Sequence, residues 1–597
     1  MVSSTINDKI YKGVSIVLFA FMFFYLLLRI IFNEPLHDEV ATYIFYIYQG
    51  DYWGETMHWD ANNHLLNSFV CHQLYKVFGD NMAIFRLPNL IAFVLFFFGT
   101  VRLTKNLQTP ILKTLALVSL NTIPFYMEYF GNTRGYGLSF GFLVWGIVYF
   151  NDFLQTRKLS KLVIAYVFLV LTVSANLTLV NSCFILIATA VGSSFFSNKM
   201  SFGKHFKEWL IHILFLASLY PFIQFAFELK EQGALYYGSL DGIWDVTGKT
   251  ISKYTLFYDA DWLRFAYLTA FAVFLVYIFV YLVKTKKLEW FNNPKLVYAL
   301  LFFGNLCAIL AMAFLMDVLY PEDRVGMYLI IFFLLLFFHF LDDVRLGKWL
   351  QYSLIFFPIS LVFHLSLHTS VFSPDDRLNQ EFYKKIKSEM TPENTLQIYR
   401  ILNWGWPYAE SHVDKKSSVG QFDNANGTLS DILITKTTVL TNPKIVELYD
   451  TLAYYEPSTH IAFKRKKPLQ RDSLQTITAP SINAEHEFFD FATFEGGSYS
   501  KKNLVVSVSG HMKTTKMNNK LIMVVASKMK DGSANRYLYY SFETVYQGQL
   551  INDDFLHNFV IENVDPDEAE FKVYLWNRNL HPIQLSNIST TIYQLKE

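Results

Sequence analysis

The sequence predicts an α-helical polytopic membrane domain of about eleven spans, then an extracytoplasmic α/β segment and a C-terminal β-sandwich-like domain. Residues 13–370 are a series of apolar blocks with short polar breaks, whereas most charged residues lie beyond residue 370. Helices of roughly 17–25 apolar residues cross a bilayer. The predicted domains are therefore 1–370, 371–480 and 481–597.

Composition excludes several classes of protein. The formal net charge is +1 and no basic stripe is visible, so we expect no nucleic-acid partner. The three cysteines, Cys71, Cys183 and Cys307, lack metal-ligand spacing, so neither a disulfide framework nor a zinc site is expected. The first apolar segment lacks the small-residue cleavage site of a signal peptide, and we expect it to be retained.

The apolar blocks place the spans along the chain. Two of them, around Ser174-Ala175-Asn176, are short and could form a tight hairpin instead of two full crossings. The expected spans lie near 13–32, 83–101, 111–127, 135–153, 162–174, 178–196, 209–228, 264–283, 296–316, 325–341 and 350–369.

Alternate loops differ in their basic residues, and by the positive-inside rule the basic set is cytoplasmic. The N-terminus is then inside, while loops 33–82 and 229–263 and the tail from about residue 370 face outward. We expect a multi-pass protein of the plasma (inner) membrane. The basic set comprises Lys9, Lys12, Arg102, Lys105, Lys113, Arg157, Lys158, Lys161, Lys199, Lys204, Lys207, Lys284, Lys286, Lys287, Lys295, Arg345 and Lys348.

The outward loop 33–82 is too long for a simple connection. Its aromatic segment 43–48 suits a helix that lies along the interface with its rings at headgroup depth. In the tail, residues 380–386 fit a helix, and segments 395–399 and 431–434 fit buried strands of an α/β layer. Further short strands separated by turn residues predict a β-sandwich that binds glycans, docks a partner or acts as a scaffold. These strands lie at 504–508, 521–525, 571–576 and 583–585.

Polar groups mark the predicted outward ends of the spans, and the topology brings them to one face. Carboxylates against a bilayer are costly unless they have partners or a task. The groups are Asp38 and Glu39, Asp60-Ala61-Asn62-Asn63-His64, Arg86-Leu87-Pro88, Glu128 to Tyr136, and Pro321-Glu322-Asp323-Arg324.

The order of these motifs resembles the GT-C superfamily, and within it the branch of the protein O-mannosyltransferases and aminoarabinose lipid A transferases. His37-Asp38-Glu39 is similar to the acidic motif of that branch, and Asn132-Thr133-Arg134-Gly135-Tyr136 resembles its Ala-Arg-x-Tyr-type segment. Asn62-Asn63-His64-Leu65 stands where His-Pro-Pro-Leu is common, and Pro321-Glu322-Asp323-Arg324 takes the place of a late outward Arg loop. The resemblance covers about residues 10–345 and implies sugar transfer from a polyprenyl-phosphate carrier outside the membrane.

The residue types suit that chemistry. Asp38 is the candidate base for the acceptor hydroxyl, with Glu39 beside it as a second catalytic candidate. Arg134 and Arg324 are candidates for binding the donor phosphate, because a guanidinium matches phosphate oxygens bidentately. The candidate substrate-binding residues are Asp60, Asn63, His64, Glu128, Tyr136, Glu322 and Asp323.

Each residue also has a purely structural interpretation. Arg134 and Arg324 could be snorkelling anchors, Arg86 is better explained as an anchor of its span, and Glu39 could only position its loop. Asp60 and His64 could ligate a divalent metal with Asp38, although loop hydrogen bonding is the simpler explanation. Glu128 could support the residues that contact the substrate or pair with Arg134, and the pairing is favoured. His364 and His368 are spaced like a metal pair but lack a nearby carboxylate.

We therefore predict a polyprenyl-phosphate-sugar-dependent hexosyl- or pentosyltransferase, with a bilayer-embedded donor site and a protein, lipid or glycan acceptor. No cofactor is certain, and a divalent metal stays open. A transporter or flippase of lipid-linked glycans would also be polytopic, but transporters place polar groups at the bilayer midplane and tend to contain repeats. A transferase of phosphoethanolamine or another non-sugar group would need a nucleophilic Thr or Ser and a metal cluster in the soluble domain, and neither is visible in the sequence. A structural or sensory membrane protein whose tail binds envelope glycans is a further alternative.

Overall fold

The computed structural model contains two compact units, one of Met1–Asn33 and Gly50–Phe372 and one of Glu34–Gln49 and Ser373–Glu597. Lys199, Lys287 and Arg345 of the basic loops lie outside the described residues. The structure describes residues 2–54, 57–195, 202–286, 290–291, 293–344, 347–370, 372–391, 394–399, 402–413, 421–423, 428–455, 459–516, 520–542, 546 and 550–596.

The first unit is helical. Within its described residues, seven helices are long and apolar enough to cross a membrane: Asn7–Phe32 (of the helix Val2–Phe32), Met82–Thr104, Gly135–Thr156, Leu177–Phe195, His205–Glu231 (of the helix Phe202–Glu231), Asp261–Lys284 and Pro294–Met316. The four remaining expected spans correspond to the shorter segments Pro110–Leu120, Leu159–Ala175, Tyr328–Asp343 and Lys348–Phe363. The predicted helical membrane domain is thereby confirmed. Short helices lie between the spans at Leu65–Phe78, Pro124–Phe130, Trp244–Gly248, Lys249–Leu256 and Asp323–Val325.

The expected span 111–127 is broken into two helices. Pro110–Leu120 has 11 residues, a rise of about 16 Å, which is only about half of the hydrocarbon thickness. The chain turns at Asn121, and Pro124 starts the second helix, where its missing N–H costs nothing. The break places Glu128 in a short buried helix, Pro124–Phe130, just before the Arg134 segment.

Loops of the same predicted side contact each other at each end of the helices. The alternation read from the basic residues therefore agrees with the packing of the first unit. At the basic end, the contacts join Arg102 to Asp152, Thr109 to Asp342 and Arg157 to Ser193. At the opposite end, they join His64 to Ala175, Tyr236 to Asp60 and Tyr237 to Asp323.

The second unit contains a five-stranded α/β layer. The helices Gln380–Lys387 and Gly405–Val413 pack on this sheet through Phe382, Ile386 and Trp406, which confirms the predicted α/β segment. The strand order is Gln421–Asp423, Leu396–Tyr399, Ile432–Lys436, His460–Arg465 and Tyr449–Tyr455, with the first three strands parallel and the last two pairings antiparallel.

A sandwich of two antiparallel sheets follows. Alternate residues of both sheets, such as Val506, Met523 and Val573, face one buried core, which confirms the predicted sandwich. One sheet has the order Ala534–Ser541, Leu521–Met529, Glu568–Asn577 and Phe488–Glu495. The second sheet has the order Asn552–Ile561, Leu504–Thr514, Ile583–Lys596 and Gln470–Thr478, with Ile482–Ala484 also paired to Ile583–Lys596.

The segment after the first span folds as part of this second unit. It forms a short helix, His37–Thr42, and a π-helical turn, Tyr43–Tyr48. The Phe45 ring meets the Trp404 ring edge-on with centroids 5.0 Å apart, and the Tyr43 ring meets that of Tyr408 at 5.6 Å. The expectation of interfacial rings is therefore wrong for this segment, because protein partners bury these side chains.

Candidate functional site

The two carboxylates of the acidic segment, Asp38 and Glu39, lie in different environments. Glu39 is fully buried, and its Oε2 accepts a hydrogen bond from the backbone N–H of Leu36 at 3.1 Å. This bond caps the helix His37–Thr42, so Glu39 fixes the segment in place. Asp38 is only partly buried, and its backbone carbonyl accepts a bond from the Thr42 hydroxyl. Asp38 is therefore the more accessible residue of the pair.

Side chains of the α/β layer hold the start of the same segment. Glu34 accepts hydrogen bonds from Asn379 and from the Tyr455 hydroxyl, the latter at 2.9 Å. The backbone N–H of His37 donates to the Asp376 carbonyl at 2.8 Å, beside the Leu36–Arg377 bridge. Burial and the nearby Glu34 carboxylate raise the pKa of the Tyr455 phenol, so this hydroxyl stays a donor. The second unit thus fixes the position of the acidic segment.

In the first unit, Arg134 immediately precedes the helix Gly135–Thr156 and is only 3% exposed. Its guanidinium carbon lies 5.7 Å from the Tyr136 ring centroid. Such burial contradicts a snorkelling anchor, which would keep its charged head in water. Gly135 is required at this position, because an added Cβ would lie 2.0 Å from the Ala175 carbonyl oxygen.

A network of buried polar side chains holds the residues that precede Arg134. The Asn67 amide donates to both the hydroxyl and the carbonyl of Thr133 at 3.4 Å, and it accepts from Asn89 through its own carbonyl. Asn33 donates to the side-chain oxygen of Asn132 at 3.3 Å. These bonds satisfy side chains that would otherwise be costly to bury, and they hold the two residues that precede Arg134.

Glu128 forms an ion pair with Arg29, a residue that none of the sequence motifs includes. Both side chains are buried, and Arg29 also donates to the Ser366 carbonyl at 2.6 Å. The pairing of Glu128 with Arg134 stays a prediction, whereas the ion pair with Arg29 joins Glu128 to the helix before the acidic segment. The sequence signal for this pair is an arginine inside an otherwise apolar span, because such a charge needs a buried partner.

Arg86 is structural, as predicted, but it is buried in the protein. It is 1% exposed and donates to the carbonyls of Ile30 and Asn33 at 3.2 and 2.6 Å. These carbonyls lie at the end of the first span, where helical partners are missing. Arg86 therefore caps the C-terminus of that helix.

Arg324 lies on an aromatic ring of the loop that follows residue 231. Its guanidinium carbon is 4.7 Å from the Tyr237 ring centroid, and the Tyr237 hydroxyl donates to Asp323 at 2.9 Å. Burial raises the pKa of the Tyr237 phenol above its ordinary value, so it remains a donor. Asp323 has a φ of +47°, a sparsely populated backbone conformation that such surroundings must maintain.

The loops that carry the two arginines are packed together. The Tyr254 ring stacks on Phe125 at 4.0 Å, and the Phe125 ring meets Tyr129, which in turn meets Tyr136. Burial and the hydrogen bond to Asp323 raise the pKa of the Tyr254 phenol. Aromatic contacts therefore lead from the Arg134 segment to Tyr254, which lies next to Asp323 of the Arg324 loop.

Asp60 and His64 are held by loop hydrogen bonds. Asp60 accepts from the Asn62 backbone N–H and from the Tyr236 hydroxyl, at 2.7 and 3.3 Å. His64 Nδ1 donates to the Ala175 carbonyl at 3.0 Å, since a carbonyl oxygen can only accept. Asn63 donates to the Tyr52 carbonyl at 2.9 Å.

Within the described ranges, no three His, Cys, Asp or Glu side chains are grouped to hold a metal ion. His364 Nδ1 bonds to the Ser360 carbonyl at 2.7 Å, and its ring packs on Phe257. His368 lies against the Phe32 ring, with centroids 5.9 Å apart. These contacts fit a packing role for both histidines.

No protein-family profile matches the sequence, and no curated protein matches it. Among solved structures, the chain is similar to ArnT from Cupriavidus metallidurans in the apo state, with 11% identity and a TM-score of 0.38 over 77% of this chain and 98% of that one. The undecaprenyl phosphate-bound ArnT structure matches at 8% identity and a TM-score of 0.36, over 76% and 97%.

The chain is also similar to the arabinosyltransferase EmbB from Mycobacterium smegmatis, with 11% identity and a TM-score of 0.31, over 98% of this chain and 64% of that one. TM-scores this low mark a distant likeness, which assigns neither a family nor an activity to the chain.

We predict that Gly135→Ala destabilises the first unit. The added methyl group has no room against the Ala175 carbonyl, and such overpacking costs about 1–3 kcal/mol. Thermal unfolding of the purified protein in detergent measures the effect. Gly13→Ala is the matched control, because nothing lies within 4 Å of its added Cβ. Equal melting temperatures for the two variants would contradict the close approach at Gly135.

Proposed function

We propose that the chain is an integral-membrane glycosyltransferase that transfers a sugar from a polyprenyl-phosphate-linked donor to an extracytoplasmic protein, lipid or cell-envelope glycan. The main support is the pair Arg134 and Arg324, whose guanidinium groups lie on aromatic rings in neighbouring loops at one end of the spans. A donor with a lipid tail and a phosphate needs cationic groups beside the hydrocarbon of the bilayer. The extracytoplasmic placement follows from the positive-inside rule.

The proposed reaction is a single displacement with inversion. The acceptor hydroxyl oxygen attacks the anomeric carbon, and a new glycosidic bond forms as the bond from that carbon to the carrier phosphate oxygen breaks. The bonding electrons leave with the polyprenyl phosphate. The hydroxyl proton passes to a carboxylate, a contribution of about 10²–10⁴-fold for a positioned base.

Asp38 is the proposed base. Glu39 is buried and caps its helix, whereas Asp38 is partly exposed on the same short helix. A base must reach the acceptor, which is bound from outside the protein, and then lose its proton to solvent. Glu39 is proposed to act by positioning Asp38, since its carboxylate holds the start of the helix.

Arg134 and Arg324 are proposed to bind the donor phosphate and to stabilise the charge that develops on it as the sugar leaves. Fixed donors aimed at developing charge need no reorganisation during the reaction. The aromatic rings beside both guanidinium groups hold them in place and remove water around them, which strengthens their attraction for an anion.

The remaining candidate residues are proposed to support or line the substrate site. Glu128 is proposed as a support, because it neutralises Arg29. The residues proposed to line the substrate site are Asp60, Asn63, His64, Tyr136, Glu322 and Asp323.

Asp38→Asn should lower transfer by about 10²-fold or more while leaving donor affinity nearly unchanged, because the amide cannot accept the proton. The assay incubates the purified protein with a panel of polyprenyl-phosphate sugars and measures carrier release. Asp152→Asn is the control, because Asp152 is a partly buried acid that pairs with Arg102 at the opposite, basic end of the spans. Wild-type turnover of the Asp38 variant would exclude Asp38 as the base, and no release from any donor by the wild type would count against the proposed function.

Arg134→Lys and Arg324→Lys should each impair transfer, although both keep the positive charge. Lysine loses the bidentate fork and the planar contact with the ring. An anchoring role would tolerate lysine. Arg264→Lys is the matched control, since Arg264 pairs with the exposed Asp245. The measurements are initial transfer rates and donor KM, with melting temperatures as a check on folding. Wild-type rates in both site variants would remove these arginines from the proposed mechanism.

A further inference from the structure

Five aromatic side chains share the outer face of one sandwich sheet, away from the sandwich core. They are Phe488, Tyr537, Tyr539, Tyr574 and Trp576, called the aromatic face below. Phe488 and Tyr537 are about half exposed, at 50% and 51%, and Tyr539 is exposed at 45%. Their chain neighbours Phe489, Leu575 and Tyr540 point inward to the core. Aromatic side chains grouped on an exposed surface mark a binding site more often than single ones do.

The strand register brings the rings together. Trp576 lies opposite Phe488, and their rings stack with centroids 5.9 Å apart. Phe488 also meets Tyr574 at 5.8 Å, while Tyr537 and Tyr539 lie 5.9 Å apart at the far edge. The face crosses four strands, so its rings extend over about 14 Å, three strand spacings.

The rings cover the centre of the aromatic face. Val524 lies between Tyr574 and Tyr539 in the register and is fully buried, although it points to the outside of the sandwich. The rings on either side cover it. The packed rings form a platform, and rings held by packing lose little entropy on binding.

Hydrogen-bonding and charged groups border the rings. Trp576 Nε1 donates to Glu487 at 3.2 Å, and Lys572 pairs with Asp490 at 3.1 Å. The Arg578 guanidinium carbon lies 5.1 Å from the Trp576 ring centroid. Exposed acids and bases therefore alternate with the rings along the edge of the platform.

We propose that the aromatic face binds a polysaccharide chain. A sugar ring presents C–H bonds on its faces, whose slight positive charge suits the negative face of an aromatic ring, and hydroxyl groups on its rim. The aromatic face provides both kinds of partner together: aromatic rings, with carboxylate, ammonium and guanidinium groups beside them.

The charged border argues against a membrane surface or a second copy of the chain as the occupant. A lipid surface would have to desolvate Asp490, Glu487 and Lys572 together with the rings, and such burial is costly. A second copy of the chain would have to desolvate the same charged groups, and its docking would appear as a change of oligomeric state. A polysaccharide leaves these groups in water and bonds to them through its hydroxyls.

This binding goes beyond the proposed transfer reaction, since the aromatic face would hold a glycan whether or not the chain transfers a sugar to it. If transfer also occurs, the face would favour a cell-envelope glycan among the three acceptor classes. Binding is measured without any donor, so its failure and the failure of transfer are separate results.

Affinity gel electrophoresis of the purified full-length protein in detergent tests the proposal. The gels contain dextran, laminarin, yeast α-mannan or arabinogalactan at increasing concentration, and migration is compared with a gel without polysaccharide. We expect retardation of the wild type by at least one of these four. Trp576→Ala and Tyr537→Ala should each weaken the affinity by about five- to tenfold, as the loss of an aromatic anchor does.

Trp576→Phe should keep part of the affinity, because it restores a ring. Tyr454→Ala is the control, since Tyr454 is equally exposed, at 54%, in the α/β layer of the same unit. Melting temperatures of all variants check folding. Wild-type migration unchanged by all four polysaccharides overturns the proposal, as does equal retardation of the wild type and both alanine variants. A change of oligomeric state in Trp576→Ala without any glycan effect would assign the face to self-association and also overturn it.

Discussion

The buried ion pair between Arg29 and Glu128 is the interaction on which the Arg134 segment depends. It joins the end of the first span to the short helix Pro124–Phe130, just before the polar turn that leads to Arg134. Gly131 allows this approach, since a Cβ there would lie 3.0 Å from Arg29 Cδ. Removing one partner of a buried pair leaves an uncompensated charge, at a cost of about 3–5 kcal/mol. Each of the two charges therefore needs the other to remain stable in these apolar surroundings.

The charged residues of these loops fall into two groups according to their partners. Charges whose partners are fixed, such as Arg86 on the helix-end carbonyls and Glu39 on the Leu36 N–H, hold the backbone. Charges that rest on aromatic rings, Arg134 and Arg324, are the ones proposed to bind an anion. The acidic segment folds with the tail through Glu34, Phe45 and Tyr43, so the tail is a structural support of the proposed base as well as a separate binding domain.

Much of this organisation could be predicted from the sequence. Long apolar blocks predict spans because the bilayer demands that length, and alternate basic loops predict which helix ends meet. Alternating strand residues predict the sandwich, whose core they form. Arg134 and Arg324 were selected because polar motifs stand in a particular order at the predicted outward ends of the spans.

The features that could not be predicted depend on tertiary contacts between residues far apart in the sequence. The break at Asn121 follows from two short helices packing separately, and hydropathy alone does not divide them. Segment 43–48 was expected at the interface because its composition is that of an aromatic belt, but the distant Trp404 and Tyr408 bury it. Arg29 was missed as a partner of Glu128 because it lies 99 positions away in an apolar helix. The aromatic face needs the register of four strands to bring its rings together.

The central claim is that the first unit binds a lipid-linked phosphate through its charge. The most direct measurement compares the affinity of the purified protein for polyprenyl phosphate and for the matching polyprenol, with no sugar present, at low and high salt. The account predicts at least tenfold tighter binding of the phosphate, about 1.4 kcal/mol or more, and a preference that salt weakens only in part because Arg134 is buried. Equal affinity for the phosphate and the alcohol would contradict it.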